Sequence, residues 1–192
     1  MDTPSGPPGE DSPAAPRLPA VTERFVLHWG EMGSRWGVNR TMSQIHALLF
    51  ITGRPMNADE LCEQLGVARS NVSNSLRELQ GWGLVKVVHL LSDRRDHFET
   101  SGDVWDLLRI IVRGRKQREF DPTVQALRDC LAHPELGRET ELSRKRIQET
   151  LALMETLSVW VDEMLRLPPE TLVKLMKLGV KIQALLRGKA GP

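Results

Sequence analysis

Ser70, Ser73, Asn74 and Arg77 are the side chains of this sequence best spaced to read another molecule. Successive residues of a helix advance by about 100°. With Val72 at the centre of a buried face and Leu76 and Leu79 beside it, Ser70, Asn74 and Arg77 point away and Ser73 flanks them. An asparagine amide pairs bidentately with adenine, a guanidinium pairs with guanine, and a hydroxyl meets bases or phosphate. Arg69 and Asn71 occupy the first turn of the same segment, where the helix N-terminus itself favours a phosphate. Further along, Arg94 and Arg95 stand between Asp93 and Asp96. Arginines at a hairpin tip suit the negative potential of a minor groove, and the same arginines can shape the turn through their aspartates. Both roles are expected, with at least one arginine left for nucleic acid.

A polar outer face is ordinary for any amphipathic helix, so the elements that position these groups decide what the face is for. Asn57 reads as an N-cap and Glu60, three residues on, completes a capping box for a helix over 58–65. Gly66 is the turn residue. The reading helix follows over 69–80 and stops at Gly81, Trp82 and Gly83. Residues 84–91 are rich in valine and leucine and read as a strand, 92–96 as a turn, and 97–100 as the returning strand. Helix, glycine turn, polar-faced helix and basic hairpin, in that order, predict a winged helix–turn–helix, a module that lays one helix in the DNA major groove.

Around this module the chain is mainly helical. Residues 1–19 hold six prolines among glycine, serine and acids, and read as a disordered tail. A helix is predicted from Ala20 to about Trp36, carrying Val21, Phe25, Trp29 and Met32, and another over 43–52 with Ser43 as its cap. After Gly102 come a helix over 103–120, a restart at Asp121-Pro122, and a helix over 123–133. A long helix over 139–165 has a seam at Ile147, Leu151, Met154, Ser158, Val161 and Leu165, the spacing of a coiled coil. Pro168-Pro169 ends it, and a last helix carries Leu172, Leu175, Met176, Leu178, Ile182, Leu185 and Leu186. The predicted organisation is a tail over 1–19, a winged helix–turn–helix domain over 20–101 and a helical dimerisation or regulatory region over 102–192. The fold class is mainly α with a small β-hairpin wing.

The formal net charge is +1 over 192 residues. That excludes a protein that condenses nucleic acid by bulk charge and leaves local basic patches as the means of contact. No apolar run is long enough to span a bilayer, and no basic-then-apolar leader precedes the tail, so no membrane association and a cytoplasmic location are expected. Cys62 and Cys130 are far apart with no CxxC partner and read as reduced thiols. His28, His46, His89, His97 and His133 are scattered, so no metal is expected. With no nucleophile elbow, phosphate loop or carboxylate pair, the chain does not read as an enzyme, and no cofactor is expected.

The motifs HWGEMGSRWGVNRT (28–41), QIHALLF (44–50), ARSNVSNSLRELQGWGLV (68–85) and DRRDHFET (93–100) resemble the MarR superfamily, and more narrowly its GbsR-like branch. The likeness covers about 21–108 well and the later helices by pattern only. It implies a homodimeric winged-helix transcriptional regulator, usually a repressor, on an inverted-repeat DNA operator, with helices from both chain ends making the dimer. It places Ser70, Asn71, Ser73, Asn74 and Arg77 on the recognition helix and Arg94 and Arg95 on the wing. Two features depart from the wider pattern: Glu99-Thr100 stands where Leu-Thr ends the wing, and Ala68 stands where a Ser or Thr cap is common. The branch is associated with choline and osmoprotectant genes. An effector such as a quaternary amine needs an aromatic cage, for which Trp29, Trp36 and Trp105 are the candidates, with plain core and dimer packing as the alternative for all three. A winged-helix protein–protein adaptor without DNA binding is the other function class, and the Ser70, Asn74 and Arg77 face argues against it.

Overall fold

Apolar residues three and four apart build the helices, and the computed structural model describes residues 18–91 and 93–188, the side chains of 184–188 excepted. The tail expected over 1–19 therefore falls almost wholly outside the described residues, as do Ser92 and the side chains of Leu185 and Leu186. The chain divides into two compact units, one up to Gly102 and one from Asp103 on.

The first unit opens with α1 (Ala20–Arg35) and α2 (Arg40–Thr52). The cap of α2 is Asn39, whose side chain accepts the Met42 N–H at 3.1 Å, and not Ser43. Both residues are cap formers, and tertiary packing decides between them. Ser43 is buried one turn inside the helix, its hydroxyl donating to the Asn39 carbonyl at 3.2 Å. It lies against α1, where Gly30 and Gly33 leave no side chain in the way. A Cβ on Gly33 would stand 2.0 Å from Ser43 Oγ and 2.7 Å from Ser43 Cβ, and one on Gly30 would stand 2.6 Å from Gln44 Cγ. Gly33→Ala is expected to lower stability by about 1–3 kcal/mol despite alanine's better helix propensity, because a packed serine has no room to retreat. Thermal unfolding measures the loss, and Ser43→Gly in the same chain should restore much of it.

Next come β1 (Met56–Asn57), α3 (Ala58–Leu65) and α4 (Arg69–Gly81). The predicted capping box at Asn57 and Glu60 is present: Asn57 Oδ1 accepts from Asp59 N and Glu60 N, and Glu60 accepts from Asn57 N at 2.8 Å. Gly66 closes α3 at φ 62°, a left-handed conformation that only glycine adopts without strain. The hairpin is β2 (Lys86–Leu90) and β3 (Asp93–Glu99). The antiparallel order is β1-β3-β2, with Met56 opposite Phe98 and Val87 opposite the same residue. The expected turn over 92–96 is thus tighter than the sequence suggested, since Asp93 already pairs with Leu90 and a bulge between Val88 and Leu90 absorbs the mismatch. Leu84 and Val85, expected to open the first strand, are buried ahead of it. Ile45, Leu48 and Leu49 of α2, Leu61 of α3, and Val72, Leu76 and Leu79 of α4 fill the core.

The second unit holds α5 (Val104–Arg115), a wide π-type turn over Lys116–Phe120, α6 (Asp121–Ala132), a 3₁₀ turn over Pro134–Arg138, α7 (Glu141–Arg166) and α8 (Pro169–Gly188). The restart expected at Asp121-Pro122 is not a break. Asp121 makes no capping bond; it takes the Lys116 ammonium at 2.8 Å while the backbone runs on in helical conformation. Pro122 has no N–H to give to the preceding turn, and a widened turn accommodates that without ending the helix. Lys116 also reaches Asp162 of α7 at 3.3 Å, and Arg128 of α6 reaches Glu155 at 2.6 Å. The α7 seam at Ile147, Leu151, Met154, Ser158, Val161 and Leu165 is half-buried along its whole length, on a helix that packs against α6. No described helix is long and apolar enough to cross a membrane.

Candidate nucleic-acid interface

Helix α4 buries Val72, Leu76 and Leu79 as the angular reading requires, and also Ser75, which that reading did not single out. Arg69, Ser70, Asn71, Asn74 and Arg77 are exposed and Ser73 is half-buried. One polar face is therefore presented by one helix whose other side is locked in the core. Arg77 Nη1 donates to Asn74 Oδ1 at 3.3 Å, so these two side chains are already oriented to each other. Ala68 supplies no side-chain capping bond at the end of α4 that carries Arg69 and Ser70.

The wing divides its two arginines. Arg95 is held: its backbone N–H and Nε donate to Asp93 Oδ1 at 3.0 and 2.9 Å, and Nη2 donates to Asp93 Oδ2 at 2.5 Å. Those hydrogen bonds hold the Asp93 carboxyl well below the usual carboxylate range. Arg94, the next residue along, is exposed and has no carboxylate partner among the described residues. His97, buried at the root of the hairpin, places Nδ1 3.0 Å from the Arg95 carbonyl oxygen. Asp59, which sequence reasoning passed over, joins the two halves: Arg69 Nη1 donates to its Oδ1 and Arg95 Nη1 lies 3.7 Å from its Oδ2. No spacing in the sequence announces this, because Asp59, Arg69 and Arg95 come from three elements. Between α4 and the wing lies an open groove of about 460 Å³ whose lining includes Asp59, Arg69, Ser73, Arg77, Gln80 and Arg95.

Behind the hairpin, Thr100 ties the unit together. Its hydroxyl donates to the Leu84 carbonyl at 2.7 Å. That single proton being spent, Thr100 Oγ1 accepts from His46 Nε2 at 3.3 Å, which fixes the neutral tautomer of His46 with its proton on Nε2. Burial lowers the pKa of His46 from 6.5 to about 4.

The three candidate cage tryptophans belong to both units. Trp29 is half-buried and stacks on Phe25 with ring centroids 5.4 Å apart. Trp36 lies just past the end of α1 and is 60% exposed. Trp105 stands in the first turn of α5, in the second unit.

An exposed polar face on the second helix of a helix–turn–helix, beside a three-stranded sheet, defines a winged-helix module. Residues 36–96, the segment that carries this geometry, match the MarR family. A Bacillus subtilis (strain 168) protein named as an HTH-type transcriptional regulator, YvaV, is 19% identical over 146 residues, which span 73% of this chain and 79% of that one. Among solved structures, one titled as a transcriptional regulator superposes with a TM-score of 0.62 at 18% identity, covering 76% of this chain and 95% of its own. An S. aureus MepR mutant bound to an oligodeoxyribonucleotide gives a TM-score of 0.36 at 14% identity, over 71% of this chain and 91% of its own. The described fold is that of a winged helix, and the segment that carries it resembles the MarR family.

Proposed function

We propose that the protein is a sequence-specific DNA-binding repressor that acts as a homodimer on an inverted-repeat operator. The observation that carries this reading is the face of α4: Ser70, Asn74 and Arg77 exposed together on a helix anchored by Val72, Leu76 and Leu79. These are the groups that discriminate base edges in the major groove. Arg94, exposed on the wing without a carboxylate partner among the described residues, suits the minor groove or the phosphates. Exposed apolar side chains support self-association. Leu153, Leu157 and Trp160 make a stripe along α7, and Leu175, Met176, Leu178 and Ile182 lie open on α8. Apolar surface of that extent on helices invites a second copy. A two-fold dimer would set two recognition helices about 34 Å apart, one turn of the duplex.

The test is selection of bound duplexes from a random pool by the full chain. An inverted repeat with half-sites one helical turn apart is the expected product, and recovery of sequences with no shared pattern sinks the reading in favour of a protein–protein adaptor. On the selected site, Arg94→Ala should weaken binding across all sequences and flatten the salt dependence by about one unit of log K against log salt. A small-molecule effector such as a quaternary amine, held by aromatic faces that include Trp29, Trp36 or Trp105, belongs to the same reading. Repeating the binding titration with the amine present tests it.

A further inference from the structure

Asp59 is an acidic residue at the centre of the face that should meet a polyanion. It stands in the first turn of α3 and is exposed, with its carboxylate turned to two arginines of that face. Arg69 Nη1 donates to Oδ1, and Arg95 Nη1 lies 3.7 Å from Oδ2. The carboxylate is not needed to start the helix, because the capping box is made by Asn57 and Glu60, and Asp59 contributes only its backbone N–H to Asn57. Ion pairs this exposed add little to the stability of a fold. Arg77 of α4 and Arg94 of the wing are exposed and have no carboxylate partner among the described residues.

We propose that Asp59 is a specificity-determining residue, acting by holding Arg69 back from phosphate, while Arg95 stays on Asp93 with or without it. This rests on the DNA-binding reading above and deepens it. An arginine already paired with a carboxylate gains little when it exchanges that partner for a phosphate, whereas an unpaired arginine gains the full attraction and releases a counterion. The carboxylate also repels phosphates within a Debye length. A random duplex offers only phosphates and so pays this exchange without return. On an operator the base contacts from Ser70, Asn74 and Arg77 fix one register and carry the binding, so Arg69 can stay on Asp59 and the exchange is not needed. Asp59 therefore lowers binding to random DNA more than binding to the operator, and the ratio of the two is what a regulator needs.

The experiment measures Asp59→Asn in the full chain against the selected operator and a scrambled duplex of equal length, over a salt series. Affinity for the scrambled duplex should rise about tenfold and affinity for the operator by less, with the salt slope for the scrambled duplex steeper by about one unit as one more phosphate is neutralised. Asp59→Glu should return the ratio towards that of the unaltered chain. Asp59→Ser, a residue at home in a first helical turn, should behave as Asp59→Asn does, and thermal unfolding checks that each variant is folded. An equal rise for both duplexes, or an unchanged or lower affinity for both with an unchanged slope, overturns the proposal. If the unaltered chain itself fails to distinguish operator from scrambled duplex, the DNA-reading function fails instead, so the two failures are distinguishable.

Discussion

Replacing Asn74 and Arg77 together with alanine should weaken binding to the selected operator by about 2–5 kcal/mol, roughly thirty-fold to several thousand-fold, while leaving the fold intact. Each well-made bidentate contact to a base edge discriminates by about 1–3 kcal/mol. Both side chains lie on the outer face of α4 and neither belongs to the core, so the stability change should stay within about 0.5 kcal/mol. Because Arg77 donates to Asn74, the single changes should not add: removing either one also frees the other from its orienting partner, and a double-mutant cycle reads that coupling directly. Base preference should relax at the positions these residues face, and affinity for a scrambled duplex should move far less than affinity for the operator. Equal losses on both duplexes would show that the two residues meet only the phosphate backbone.

The second large effect is a loss of stability in mild acid that originates at His46. Folded, this imidazole is buried, neutral, and donates from Nε2 to Thr100, and its pKa is lowered from 6.5 to about 4. Unfolded, it titrates near 6.5. Between those values the unfolded chain binds the extra proton, so stability rises with pH through this window, is complete above about 6.5, and falls as the pH drops towards 4. The gap corresponds to about 3 kcal/mol at its full extent. His46→Gln keeps a donor for Thr100 and removes the titration, so the difference in unfolding midpoint between the two chains should shrink as the pH falls from 7 to 4.5. A constant difference over that range would place the proton elsewhere. The hairpin should register the same event, because Thr100 joins α2 to Leu84 just ahead of it.

What was legible in the sequence was whatever depends on neighbours along the chain. The capping box at Asn57 and Glu60, the glycine turn at Gly66 and the reading face of α4 are all settled within a few residues, by spacing that a helix turns into direction. What escaped depends on packing between distant segments. Asn39 and Ser43 are equally good caps by type, and only the approach of Gly33 decides that Ser43 goes inside. Two residues, Met56 and Asn57, make a strand because β3 lies beside them, and no periodicity fits in so short a stretch. Asp121-Pro122 has the chemistry of a helix start, yet Lys116 and Asp162 hold the preceding turn in line. Within the site, Arg94 and Arg95 are neighbours of the same type, and only Asp93 and Asp59 tell them apart.

The crossing of α1 over α2 has a mechanical meaning. At Gly30 and Gly33 the two helices touch backbone to side chain with nothing soft between them, and α2 in turn packs on α4. Close-packed contacts of this kind pass displacement on and do not absorb it. Helix α1 is therefore a rigid handle on α4: whatever tilts it, at its exposed end near Val21 or along its outer face, is passed through α2 to α4.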